Sequence, residues 1–213
     1  MMSNCHFGPA KTPLRVRRTF AVLLTAGVSS VLISLSGPAL AHEFTTALLV
    51  LGENREMRLA EAVRGFLLAA DERDGHEGET SDGHLGGVDV HLLPLPSEAA
   101  SLVTGLSGAP VDPPDVVVVL DNVGSSGTDP EADPGMSVVI TPGDLPADWG
   151  QHTGTKGFVT RYRQAYGEIP TETAALGYHA ARRLDSAIRP LDGVTPRAGL
   201  EAALRASQSG FQW

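Results

Sequence analysis

Hydrophobic and polar positions follow two different periods along the chain, and the switches between them outline strands and helices. Residues 45–51 (TTALLVL) form a short apolar run before a glycine, which is typical of a buried strand. Residues 55–73 place apolar side chains at helical spacing from Leu59 to Ala70, with charged residues between them. This pattern predicts a helix, with Asn54 as its N-cap.

Three further apolar runs predict strands at residues 88–95 (VDVHLLPL), 115–120 (DVVVVL) and 137–141 (SVVIT). The unbroken β-branched run at 115–120 is typical of a parallel strand that is covered on both faces. Residues 97–106 predict a short helix before it. Residues 71–87 are acidic and rich in glycine, which predicts a solvated loop.

The last third of the chain is helical by the same criteria. Apolar stripes predict helices at residues 155–166, 171–189 and 196–204, with breaks at glycine and proline between them. Strand and helix units that alternate in this way indicate the α/β class. We therefore expect a three-layer sandwich with a small, mostly parallel sheet of four strands or slightly more.

The start of the chain carries an export pattern. Four of the 16 basic residues precede position 19, an uncharged apolar run covers 19–37, and Ala39-Leu40-Ala41 has the small residues that a signal peptidase requires. We interpret residues 1–41 as a signal peptide and residues 42–213 as a single α/β domain. The apolar run is also about long enough for an uncleaved membrane anchor, which remains the alternative.

The export signal predicts where the protein acts, and its composition excludes several classes of function. Arg17-Arg18 resembles the core of a twin-arginine signal, so both this route and the general secretory route stay open, and either predicts a periplasmic protein. The single cysteine, Cys5, lies inside the predicted signal, which leaves the exported domain without disulfides or a catalytic thiol. Acidic residues outnumber basic ones by 25 to 16, which argues against nucleic-acid binding.

Catalytic patterns are missing from the sequence. Residues 124–127 (GSSG) fall one residue short of a nucleophile elbow, and the chain has no phosphate-binding loop and no zinc-protease motif. We therefore expect a protein that is not an enzyme and needs no cofactor.

Residues 157–193 (GFVTRYRQAYGEIPTETAALGYHAARRLDSAIRPLDG) carry a family resemblance. They resemble the helical signature of type I periplasmic solute-binding proteins, the leucine/isoleucine/valine-binding class of ABC transporters. The matching positions, in order, are Phe158, Tyr162, Tyr166-Gly167, Pro170, Tyr178-His179-Ala180 and Ala187-Ile188. Residues 58–75 (RLAEAVRGFLLAADERDG) are similar to the first helix of that family.

The resemblance implies one lobe of such a binding protein, because family members are much longer and close two lobes on a ligand. It further implies a small-molecule ligand, an amino acid or small carboxylate, delivered to an ABC permease. In the family, hydroxyl groups after the third and fourth strands hold the ligand carboxylate. The residues at those positions here are Ser125, Ser126 and Thr141, although the family's helix after the third strand is replaced by a segment rich in Gly, Pro and Asp.

A lone lobe also suggests a different function. Its exposed interlobe face would dock another periplasmic protein or form a homodimer, without any role in transport.

Other polar residues are weaker candidates. His42 would be the first residue after signal cleavage, where an amino terminus and an imidazole together can chelate copper or nickel. His179 is expected at the surface or between lobes. The arginines of the last third are expected on solvated helix surfaces; they are Arg161, Arg163, Arg182 and Arg183.

Overall fold

The computed structural model describes residues 43–73, 80–96, 113–120, 137–151, 154, 157–191 and 193–207. All of them belong to the unit Leu40–Trp213; the separate unit Met1–Ala39, which contains most of the predicted signal peptide, lies outside the described residues. Within the described ranges, no helix is long and apolar enough to cross a membrane.

The described elements form an α/β fold around one sheet. In chain order they are β1 (Glu43–Val50), α1 (Arg55–Asp71), β2 (His84–Leu85), β3 (Val88–Leu95), β4 (Val116–Leu120), β5 (Val138–Ile140), a 3-10 turn (Trp149–Gln151), α2 (Phe158–Tyr166), α3 (Glu172–Ile188) and α4 (Arg197–Ala206). The strand order is β2-β3-β1-β4-β5. All neighbouring strands are parallel except β2, which is antiparallel to β3.

The predicted fold class is confirmed, and so are four strands and the helices that follow β1 and fill the last third. The prediction of a solvated loop at 71–87 is wrong in part, because β2 lies within it. Gly86 and Gly87 both have positive φ and make the tight turn from β2 into β3, a conformation that glycine adopts without strain. The predicted helix at 97–106 lies outside the described residues.

The sheet is buried on both faces, as the middle layer of a three-layer sandwich must be. On one face of β1, Phe44 and Leu48 join the core formed with α1 and α3. On the opposite face Ala47 and Leu49 are also buried, together with Val117 of β4.

The helices α1 and α3 cross at backbone contact. Gly65 of α1 lies against Ala174, and Gly177 of α3 lies against Ala62, so the two helices use the same Ala-x-x-Gly pattern reciprocally. A Cβ atom built on Gly65 would lie 1.9 Å from the carbonyl oxygen of Ala174. The crossing therefore leaves no room for a side chain at either glycine.

A buried carboxylate ties α3 to the turn between β2 and β3. Asp185 accepts a hydrogen bond from the backbone N–H of Gly86 at 2.9 Å. Its oxygens also pair with the guanidinium groups of Arg189 at 2.7 Å, Arg73 at 3.3 Å and Arg182 at 3.7 Å. These positive charges compensate the desolvation of the carboxylate, which would otherwise be strongly unfavourable.

We predict that Gly65→Ala and Gly177→Ala each destabilise the protein, because the added methyl group meets a backbone carbonyl that cannot move independently of its helix. Overpacking of this kind typically costs about 1–3 kcal/mol, measurable as a lower midpoint in urea unfolding.

Gly199→Ala is the matched control for this prediction. Its Cβ would meet only side-chain carbons at 3.6 Å and beyond, inside α4. There the substitution should stabilise the helix by about 0.5–1 kcal/mol. Similar midpoints for all three variants would contradict the close crossing of α1 and α3.

Candidate functional site

The carboxyl ends of β1, β3, β4 and β5 lie at one edge of the sheet because these strands are parallel. Ligands of open α/β sheets bind outside this edge, where the chain turns from strand into helix. We call it the carboxyl edge.

A cleft of about 480 Å³ lies at the carboxyl edge, between the ends of β1 and β3 and the first turn of α1. Its lining residues are Val50, Asn54, Arg55, Glu56, Met57, Leu59, Leu95 and Pro96. A cavity of this size suits a small molecule.

The turn between β1 and α1 builds one wall of the cleft. Gly52 and Asn54 both adopt positive φ, at 87° and 51°, which turns the chain sharply out of the strand. Arg58 stabilises the turn, because its Nη1 donates a hydrogen bond to the carbonyl oxygen of Leu51 at 2.7 Å. Asn54 is the N-cap residue, as predicted, but its side chain makes no capping hydrogen bond.

The cleft combines an apolar floor with two opposite charges. Val50 is buried and Leu59 and Leu95 are half-buried; with the exposed Met57 and Pro96 they form the apolar part. Arg55 and Glu56 are exposed at the cleft, and the side chain of neither makes a hydrogen bond or ion pair with another described residue. The guanidinium can accept a carboxylate as its partner and Glu56 an ammonium group.

The predicted ligand residues are only partly within the described ranges. Thr141 directly follows β5 at the carboxyl edge and is half-buried. It does not line the cleft, from which β4 and β1 separate it in the strand order. Ser125, Ser126 and the predicted metal ligand His42 lie outside the described residues, so these assignments stay predictions. The described residues contain no group of three or more His, Cys, Asp or Glu that could hold a metal ion.

His179 is buried, and the expectation of a surface position is wrong. Its side chain is 2% exposed, and its Nδ1 donates to the carbonyl oxygen of Pro142 at 2.8 Å, which makes Nδ1 the protonated nitrogen of the neutral ring. Burial lowers the pKa of His179, and the nearby charge of Arg183 lowers it further, against the opposing effects of the Pro142 carbonyl and Asp144.

The expectation of solvated arginines is also wrong for three of the four. Only Arg163 is exposed, whereas the side chain of Arg182 is 15% exposed and pairs with Asp185. Arg183 is completely buried. Arg161 pairs with Glu72 at 2.7 Å and donates to the hydroxyl of Tyr178 at 2.8 Å. Burial, with a contribution from Glu72, raises the pKa of Tyr178 to about 12, so the phenol remains protonated and donates to Glu72.

The sequence did not predict Arg55 and Glu56 as site residues, because their positions match the polar face of a helix. A signal for them exists in the order strand, glycine, helix start at residues 50–55, because this order places the first helical residues at the carboxyl edge. The sequence does not show that β3 lies beside β1, and Leu95 at the end of β3 forms the other part of the cleft.

We predict that stability falls as the solution is acidified below about pH 6.5, the ordinary pKa of histidine. The pKa of His179 is lowered in the folded protein, so the unfolded chain takes up the proton first and gains stability relative to the fold. The contribution is complete above pH 6.5 and is lost as pH falls toward the lowered pKa. Urea unfolding between pH 5 and 8 should show this slope, and His179→Asn should flatten it; an unchanged slope in the variant would contradict the assignment.

Comparison with known proteins finds no family model, no curated protein and no solved structure that matches the chain. The case for a site at the carboxyl edge therefore comes from the sheet geometry and the chemistry of the cleft.

Proposed function

We propose that this protein is an exported, single-lobe relative of the type I periplasmic solute-binding proteins. It binds a small molecule without covalent chemistry and serves as the substrate-binding component of an ABC transporter of the branched-chain-amino-acid type. The α/β fold, the strand order and the position of the cleft support this proposal, since all three suit a ligand held at strand ends.

The observation that carries the proposal is that Arg55 and Glu56 both line the cleft, next to its apolar side chains. A free amino acid presents the complementary set: a carboxylate for Arg55, an ammonium group for Glu56 and an aliphatic side chain for the floor. Burial of that side chain contributes about 25 cal/mol for each Å² removed from water. The ligand class is therefore an amino acid with an apolar side chain.

Affinity is expected to be modest. The described residues form a single lobe, so nothing among them closes over the cleft, and the charged groups of a ligand would remain partly hydrated. Ion pairs in contact with water contribute far less than buried ones.

We predict that titration calorimetry detects binding of L-leucine and that Arg55→Ala weakens it by about two- to fivefold. An ion pair in contact with water is worth up to about 1 kcal/mol, and each 1.4 kcal/mol is a factor of ten in affinity. Arg205→Ala is the matched control, because it removes an exposed arginine of α4 that does not line the cleft. No heat with L-leucine, other amino acids or small carboxylates would reject the proposed function.

A docking role is the second candidate, and two exposed side chains favour it. Met57 is 60% exposed and Ile169 is 75% exposed. They lie in one region, because Met57 is one turn before Glu61 on α1, and Glu61 accepts a hydrogen bond from Thr171 at 2.9 Å, two residues after Ile169. Here the lone lobe would be an interaction module for another periplasmic protein or for a second copy.

We predict for this second candidate that sedimentation velocity shows a concentration-dependent dimer, and that Ile169→Ser returns it to a monomer. The side chain is mostly in water, so its removal should leave the unfolding midpoint unchanged. A strict monomer at high concentration would exclude self-association through this region.

A further inference from the structure

An exposed apolar surface extends outward from the cleft. Met57 and Leu95 line the cleft, and Met57 is mostly in water. Leu93 lies on the same face of β3 as Leu95, because side chains two residues apart in a strand share a face, and it is 45% exposed. We call Met57, Leu93 and Leu95 the apolar rim.

Two opposite charges lie beside the apolar rim. Arg55 and Glu56 line the cleft on adjacent positions of α1, and the side chain of neither bonds to another described residue. Guanidinium and carboxylate groups are complementary in shape and charge. In a dimer with two-fold symmetry each contact occurs twice, so Arg55 of one protomer can pair with Glu56 of its partner, and Glu56 with Arg55.

This charge pattern favours a second copy over other partners. The chain is acidic, with 25 acidic against 16 basic residues, so two copies repel each other at long range and need a locally complementary surface to associate. A partner surface of one charge sign would match only one of the two side chains. An apolar partner would bury both charges without counter-charges, which is strongly unfavourable.

We propose that the cleft of the free protein is covered by the cleft of a second copy, and that an amino-acid ligand competes with this copy. The carboxylate and the ammonium group of the ligand would take the same two side chains that the interface pairs. The competition therefore rests on the proposed function. The interface itself does not, because it follows from the apolar rim and the two charges alone.

Competition has a quantitative consequence for the dimer. A ligand that binds only the monomer weakens the dimer by the factor 1 + [L]/Kd for each of the two copies. With L-leucine at about ten times its Kd, the dimer should therefore dissociate about a hundredfold more readily. Sedimentation velocity with and without L-leucine measures this change.

Charge reversal tests whether Arg55 and Glu56 face each other. Arg55→Glu and Glu56→Arg each place like charges opposite one another twice in the dimer, and each should weaken it by about tenfold or more. An equimolar mixture of the two variants should restore a dimer near wild-type affinity, because a doubly negative surface then meets a doubly positive one.

Arg163→Glu is the matched control for the first variant. It reverses an exposed arginine of α2 that does not line the cleft, with the same change in net charge, and should leave the dimer intact. All three side chains are exposed, so the urea midpoint of each variant should stay near that of the wild type.

Three results would overturn the interface. The first is a wild-type protein that stays monomeric over the whole range of protein concentrations. The second is a mixture of Arg55→Glu and Glu56→Arg that forms no dimer. The third is a dimer that Ile169→Ser dissociates and Arg55→Glu does not, which would place the contact at Ile169 and away from the cleft.

The ligand separates this inference from the proposed function. If the charge variants behave as expected and calorimetry detects no binding of L-leucine, other amino acids or small carboxylates, the interface stands and the proposed function fails. If L-leucine binds and the dimer persists unchanged, the proposed function stands and the competition is overturned.

Discussion

The close crossing of α1 and α3 is the contact on which the rest of the fold depends. Gly65 and Gly177 bring two backbones together, so the first strand–helix unit and the helical last third share one core. Because α1 is held there, its first turn lies against the ends of β1 and β3. Because α3 is held there, its polar side chains reach the outermost described strands at both ends of the strand order.

Charged groups on α3 act at opposite edges of the described sheet. Asp185 binds the turn between β2 and β3, while Arg183 binds the end of β5, and these are the two outermost parts of the strand order. The helix is thus fastened across the sheet by directional bonds as well as by apolar contact. Such bonds define one orientation of a helix, which contact between small residues does not do alone.

The sequence was informative wherever a period could be measured. Five- to eight-residue apolar runs identified β1, β3, β4 and β5, but β2 has two residues, too few to show any period. His179 and Arg183 were misplaced because an amphipathic helix was expected to keep its polar residues in water. In α3, 13 of 17 residues are buried, since its alanines and Gly177 let neighbouring elements approach on most of its circumference. The sequence could predict the part of the cleft formed by β1 and α1. It could not predict the part formed by β3, because β3 is distant from them in the sequence.

β5 is the outermost strand on one side of the sheet that the described residues form. Arg183 donates a hydrogen bond to the Thr141 carbonyl just after β5, and Arg197 at the start of α4 donates one to the Ser137 carbonyl just before it. Both carbonyls would otherwise be free to pair with a strand from another molecule. An exposed row of such groups is a template for intermolecular pairing, and natural proteins protect it. Two arginine side chains therefore occupy, at the two ends of β5, backbone acceptors that an added strand would otherwise use.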